Sequence, residues 1–233
     1  VCHEFNIEPL TTCFARCNAE MIKEAGFNSV KVASYDCSSF MLLRELKEFF
    51  SEIILSTGAT FDDEIVKATV ILNGTNFSLL HCVTIYPTPL DKMHLTRMEY
   101  LKNFTENVGL SDHSLVSRDG IIASKVGIYL GAKLIERHFT ILPNDETRDG
   151  PVSINQVQLK DLVDFSNLPK NDQKNIITNE FPEWEIMLGN FDRELSKVEL
   201  LNRDYYRGRF ASPRNISNDG CNMIFNWEEV KIR

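Results

Sequence analysis

The feature that most narrows the fold is a rhythm of short apolar runs alternating with helix-sized segments from Ile7 to Phe139. The runs Ile7–Thr11, Ser29–Ala33, Glu52–Ser56, Phe77–Val83, the residues leading to Ser111, and Lys133–Phe139 read as strands. Between them the apolar spacing turns helical; Leu42, Leu43, Leu46, Phe49 and Phe50 lie on one face of a segment spanning 40–50. Further helices are expected over 18–25, 60–72 (opened by a capping box of Thr60 and Asp63), within 93–108, over 119–131 and over 154–165. Parallel strands need crossovers of this length, so the rhythm predicts a parallel α/β sheet.

Two architectures fit that rhythm: an open doubly wound sheet and a TIM-type (β/α)8 barrel. No G-x-G-x-x-G follows any strand, so dinucleotide binding has no support. Polar residues instead recur at the C-terminal strand ends: Thr12, Ser34, Ser56, Thr84, Ser111 and His138. A ring of polar strand ends is what the active face of a barrel requires. The expectation is therefore an incomplete barrel of about six βα units over 1–167. An irregular, partly helical extension follows over 168–233, with a loop at Pro169–Asp172 and short helices in 181–197. The chain opens on Val1, not Met, which fits an N-terminal truncation.

Composition removes several function classes. A net charge of −8 over 233 residues, with no face rich in Lys and Arg, argues against a nucleic-acid partner. No apolar run reaches membrane-spanning length and no signal-peptide pattern opens the chain. The six cysteines, at 2, 13, 17, 37, 82 and 221, follow no metal or disulfide spacing and read as reduced thiols in a cytoplasmic setting. The sequons at Asn73, Asn76, Asn103 and Asn215 are then chance matches.

The chemistry-bearing candidates sit at the strand ends. His113 closes Ser111-Asp112-His113, and His138 lies 25 residues on in Ile135-Glu136-Arg137-His138-Phe139. A lone strand-end histidine is often structural. Two on neighbouring parallel strands suit a metal that keeps open positions for substrate and water. Lys31 is either an exposed edge lysine or a barrel-interior cation that demands an anion. The turn Ser56-Thr57-Gly58 offers hydroxyls and amides to phosphate oxygens. His81, mid-strand among apolar residues, reads as a core histidine, whereas Tyr86 precedes a loop stiffened by Pro87 and Pro89. Asp149 lies in a charged loop that is either solvated or folded back over the site.

Taken in order, six strings resemble the sialic acid synthase (N-acetylneuraminate synthase) family: Thr11-Thr12-Cys13-Phe14, Lys31-Val32-Ala33-Ser34, Ile54-Leu55-Ser56-Thr57-Gly58, Leu79-Leu80-His81-Cys82 through Tyr86-Pro87-Thr88-Pro89, Gly109-Leu110-Ser111-Asp112-His113-Ser114, and Glu136-Arg137-His138-Phe139-Thr140. The resemblance implies a (β/α)8 barrel that condenses phosphoenolpyruvate with an N-acylated amino sugar, using a divalent metal, usually Mn2+ with Mg2+ or Co2+ as alternatives. By motif, it implies phosphoenolpyruvate on Thr12, Lys31, Ser34, Ser56, Thr84 and Ser111, and the metal on His113 and His138. It places Asp36, Tyr86 and Asp149 toward the sugar, with Asp36, Tyr86 and His138 closest to catalysis. It further implies a homodimer and an antifreeze-like C-terminal module, which Tyr205–Phe210 would open. Asp36 stands where Glu is common in the family, Thr84 where Asn is, and Cys13 where Pro is, so a divergent subgroup is expected. A different metal-dependent barrel aldolase, or a non-catalytic barrel that binds sugar, are the competing readings.

Overall fold

The computed structural model of the chain describes residues 1–213, 223–230 and 232; the sequon at Asn215 and Cys221 lie outside them. The chain divides into two compact units, one of residues 1–79 with 200–233 and one of residues 80–199.

In the first unit, β1 (Thr11–Thr12), β2 (Ser29–Val32) and β3 (Glu52–Ser56) are neighbouring parallel strands, with Thr12 opposite Lys31 and Lys31 opposite Ile54. β1 is shorter than the run from Ile7 suggests. Pro9 has no N–H to give to a ladder, and Ile7 is left exposed. The connections are α1 (Ala19–Glu24) and α2 (Phe40–Phe49), and α3 (Asp62–Leu72) follows β3. Leu42, Leu43 and Leu46 of α2 are fully buried with Ile53 and Leu55 of β3 and Leu72 of α3. The cap of α3 is one residue later than expected. Glu64 reaches back to the Phe61 amide, while the Thr60 hydroxyl donates to the Gly58 carbonyl at 3.1 Å. β4 (Asn76–Cys82) carries the chain from this unit into the next.

In the second unit, β5 (Val108–Asp112), β6 (Leu134–Phe139) and the two-residue β7 (Ser153–Ile154) are parallel neighbours. β7 is a seventh strand in the chain, too short to carry a periodicity that sequence could reveal. The helix expected in 93–108 shrinks to α4 (Arg97–Leu101), because the amides of Leu95 and Thr96 bond the carbonyls of Met187 and Leu188 instead of entering a helix. α5 (Val116–Asp119) and α6 (Ile122–Tyr129) follow β5, and α7 (Gln156–Ser166) starts at an Asn155 cap that accepts from the amides of Val157 and Gln158. The expected loop at Pro169 is the start of α8 (Lys170–Glu180). Proline needs no donor there, and the Asp172 and Gln173 amides close on its carbonyl. α6 packs against α7 and α8 over Leu162, Phe165 and Ile177.

The described part of the C-terminal stretch carries more regular structure than its composition suggests. α9 (Lys197–Tyr206) is followed by an antiparallel pair, β8 (Ala211–Pro213) and β9 (Met223–Phe225). Among the described residues no helix is long and apolar enough to cross a membrane.

Candidate active site

The sequence-derived candidates fall into two groups, one on each unit. On the first, Thr12, Lys31 and Ser56 lie at the C-terminal ends of β1, β2 and β3. Lys31 is only 7% exposed, which removes the edge-lysine reading. Ser34 follows β2 in a tight turn, and its hydroxyl accepts the Gly58 amide at 3.2 Å. The end of β2 is thereby tied to the Ser56-Thr57-Gly58 turn. Ser56 Oγ is buried with no hydrogen-bond partner among the described residues. An unsatisfied buried hydroxyl is costly, and a ligand oxygen or a water at that point would satisfy it.

Asp36, which the resemblance places toward the sugar, is 7% exposed. Its Oδ1 accepts from Ser39 Oγ at 2.8 Å and from Asn226 Nδ2 at 2.9 Å. Burial pushes this carboxyl above the usual carboxylate range, and the two donors pull against that rise.

On the second unit the register Asp112 opposite Arg137 makes His113 and His138 the next residues of adjacent strands. Their ring centroids are 5.2 Å apart, and the Tyr86 ring lies 4.0 Å from that of His113. Asp149 does fold back: its carboxylate is 3.6 Å from His138 Nδ1, and its carbonyl accepts from Ser153 Oγ. Thr84 and Ser111 are buried, two residues past β4 and on β5 respectively. His81 is a core histidine, its Nε2 2.7 Å from the Met93 carbonyl oxygen. Burial drives its pKa down to about 3, so it stays neutral.

Sequence reasoning missed what holds the two imidazoles in place. Asp112 is fully buried and pairs with Arg137 at 2.5 Å; it also accepts from Ser124 Oγ at 2.5 Å and the Ser114 amide at 2.8 Å. Burial alone would raise its carboxyl, but the Arg137 guanidinium and these donors outweigh it and hold the group below its ordinary value. Arg137 also donates to Ser114 Oγ at 3.0 Å. Each member of the pair directly precedes a histidine, so the ion pair locks β5 and β6 in register immediately beneath both rings. The signal was the placement of opposite charges in Ser-Asp-His and Glu-Arg-His.

Two imidazoles with ring centroids 5.2 Å apart, one ring edge-on to the other, could together hold an ion. Among the described residues no cluster of three or more His, Cys, Asp or Glu side chains could cage an ion. A two-imidazole set, with a carboxylate beside one ring, leaves coordination positions open.

The sequence matches the NeuB family over residues 1–173. It is 36% identical over 163 residues to the N,N'-diacetyllegionaminic acid synthase of Campylobacter jejuni, covering 67% of this chain and 48% of that protein. It is 30% identical over 217 residues to the spore coat polysaccharide biosynthesis protein SpsE of Bacillus subtilis, covering 91% and 57%. The crystal structure of that SpsE superposes with a TM-score of 0.73 at 24% identity, over 96% of this chain and 64% of that one, and shows the fold. An N-acetylneuraminic acid synthetase from Leptospira borgpetersenii, crystallised with citrate, superposes with a TM-score of 0.66 at 29% identity, over 88% and 66%. The fold class is thus the α/β, TIM-barrel type, carried here by seven parallel strands. The chain spans about half the length of the curated relatives it matches.

Proposed function

The chain belongs to the NeuB family, and from that premise we propose that it serves the condensation of phosphoenolpyruvate with an N-acylated amino sugar to give a nonulosonic 2-keto acid. In that reaction C3 of phosphoenolpyruvate bonds to the aldehyde carbon of the open-chain sugar. Water adds at C2, and phosphate leaves by C–O cleavage. The observation that carries the reading is the register-aligned pair His113 and His138, with Tyr86 against one ring and Asp149 against the other.

Lys31, Thr12, Ser34 and Ser56 would supply one cation and three hydroxyls to the anionic donor, which carries both a carboxylate and a phosphate. The ammonium balances charge, and the unpartnered Ser56 hydroxyl offers a hydrogen bond already pointed inward. Thr84 and Ser111, on the second unit, carry the remaining hydroxyls that the resemblance assigns to phosphoenolpyruvate. A divalent ion, Mn2+ in our reading, would be held by His113 and His138 and would supply Lewis acidity toward the sugar aldehyde. Tyr86 would pack on the acceptor, and Asp149 would orient the His138 ring and face the sugar hydroxyls. Cys2, Cys13, Cys17, Cys37 and Cys82 are free thiols, and a cytoplasmic setting is part of the same proposal. The homodimer typical of a synthase of this kind is part of the same proposal.

The test is phosphate release from phosphoenolpyruvate, Mn2+ and N-acetylmannosamine-type sugars. We expect release that depends on both metal and sugar, and His113→Ala should bring it to background. Undiminished metal-dependent release by that variant would refute the ligand role. Turnover of pyruvate in place of phosphoenolpyruvate would refute the donor and point to an aldolase.

A further inference from the structure

The turn that offers its hydroxyls to phosphate leads into a strained residue. Ala59, which follows Ser56-Thr57-Gly58, is 1% exposed and has a backbone φ of +50°. Glycine takes the left-handed region at no steric cost; an alanine there needs neighbours that hold it. Neutral hydrogen bonds restrain the turn from within. The Gly58 amide donates to Ser34 Oγ at 3.2 Å, and the Thr60 hydroxyl lies 3.1 Å from the Gly58 carbonyl oxygen and 3.4 Å from that of Ser34.

A charged restraint comes from α9. Arg203 is buried; its Nη1 donates to the Ala59 carbonyl at 2.7 Å and its Nη2 to Glu64 Oε1 at 2.6 Å. The guanidinium also lies 4.7 Å from the centre of the Phe61 ring. Glu64 Oε2 in turn accepts the Phe61 amide at 3.0 Å. Guanidinium and carboxylate together form a strap that begins at the Ala59 carbonyl and ends at the Phe61 amide, and such charge-assisted bonds are the stronger kind. All of these residues belong to the first unit, although Arg203 lies 144 positions beyond Ala59 in the chain. Glu64 can cap α3 without Arg203, and it has a second cation in Arg207 at 3.7 Å. What Arg203 adds is a hold on the backbone of Ala59.

We propose that Arg203 is a positioning residue for the donor phosphate: by holding Ala59 in its left-handed conformation, it fixes the Ser56-Thr57-Gly58 turn before the phosphate arrives. The proposal deepens the function above and rests on its assignment of Ser34 and Ser56 to phosphoenolpyruvate. Ser56 Oγ, buried without a hydrogen-bond partner among the described residues, is the group the turn would deliver. Ser34 Oγ is tied to the same turn through the Gly58 amide, so a shift at Ala59 reaches both hydroxyls. Arg203 acts through the backbone, since its two terminal nitrogens are engaged by Ala59 and Glu64. A turn held in place beforehand spares the ligand the cost of ordering it, so loss of the strap should appear as weaker binding of the donor and not of the acceptor.

The test uses the full chain with two substitutions. Arg203→Met keeps the apolar stem and leaves Glu64 to Arg207; Arg203→Lys keeps a cation beside Glu64 but loses the fork, and guards against loss of the fold. Amide hydrogen exchange is followed by NMR. Exchange at Gly58 should quicken about tenfold in Arg203→Met and less in Arg203→Lys, while Ile53 and Leu55 of β3 stay within about twofold. In steady state, Arg203→Met should raise the phosphoenolpyruvate KM about tenfold and leave the sugar KM within about twofold. Adding Ala59→Gly to Arg203→Met should bring both the Gly58 exchange and that KM back to within about threefold of the wild type, because glycine takes a positive φ without strain. Unmoved Gly58 exchange in both arginine variants overturns the proposal. So does an equal rise in the two KM values, no rise in either, or a double variant no better than Arg203→Met. If the wild-type chain neither binds phosphoenolpyruvate nor releases phosphate, the proposed function fails, while Gly58 exchange still decides whether Arg203 governs the turn.

Discussion

At the scale of single residues, the decisive pair is Asp112 and Arg137, because a charge buried without a partner is among the costliest defects a fold can carry. Replacing Arg137 with Met leaves Asp112 buried against two neutral donors, and chemical denaturation should show a loss of about 3–5 kcal/mol at neutral pH. The pH dependence should reverse as well. In the wild type the Asp112 carboxyl is held below its ordinary value, so its contribution is present above about pH 4, the unfolded value, and is lost as pH falls through the folded one. In Arg137→Met, burial is no longer offset by the guanidinium and the carboxyl rises. The folded state then takes up the proton more readily than the unfolded one, so stability should increase on acidification from neutrality. Denaturation midpoints measured from pH 3 to pH 7 in the two proteins distinguish these opposite slopes. A variant as stable as the wild type at pH 7 would mean that the pair is not an anchor for the two imidazoles.

At the scale of elements, the same two strands depend on how closely they approach. A Cβ built on Gly109 would lie 2.3 Å from the Leu134 carbonyl oxygen of β6 and 2.7 Å from Leu80 Cδ2. A backbone carbonyl in a paired strand cannot move aside without parting the ladder. Gly109→Ala should therefore cost about 3 kcal/mol and weaken any ligand of His113 and His138, with thermal unfolding and metal titration as the readouts. The sequence marked β5 as a strand, but nothing in it said why glycine stands at that position, because the reason is a neighbour 25 residues away. Legibility followed the same division elsewhere. β3, β5 and β6 were readable because each carries a short apolar stretch that runs into a polar residue: Leu55 into Ser56, Leu110 into Ser111 and Ile135 into Glu136. α8 was obscured by the polar string that opens it, since Pro169 and Asp172 suggest a loop unless the inward Gln173 and Ile177 are seen. β7 has too few residues for any period, and the hydrogen bond from Asn226 to Asp36 spans 190 residues, which no local pattern encodes.

At the scale of the whole molecule, the parallel α/β class was legible because it needs only the order and length of the elements, and crossovers of a dozen residues leave few alternatives. The site was legible as a set of residue types and illegible as geometry: the histidine pair was visible, but the buried ion pair beneath it and the inward turn of Asp36 were not. The proposed ion also makes a prediction about the stability of the chain as a whole. A ligand that binds only the folded state stabilises it by RT ln(1 + [L]/Kd), about 2.7 kcal/mol at a hundredfold excess over Kd. For a chain of 233 residues that corresponds to a rise in Tm of roughly 5–10 °C. Mn2+ should produce this rise at pH 7.5 and Mg2+ a smaller one, since imidazole is the poorer partner for the harder ion. Lowering the pH should weaken it, because protons compete with the ion for the imidazole nitrogens. His113→Ala and His138→Ala should each remove the Mn2+ effect while leaving the metal-free Tm within a few degrees. A full Mn2+ shift in both variants would place the ion elsewhere in the chain and leave the two facing rings without their proposed task.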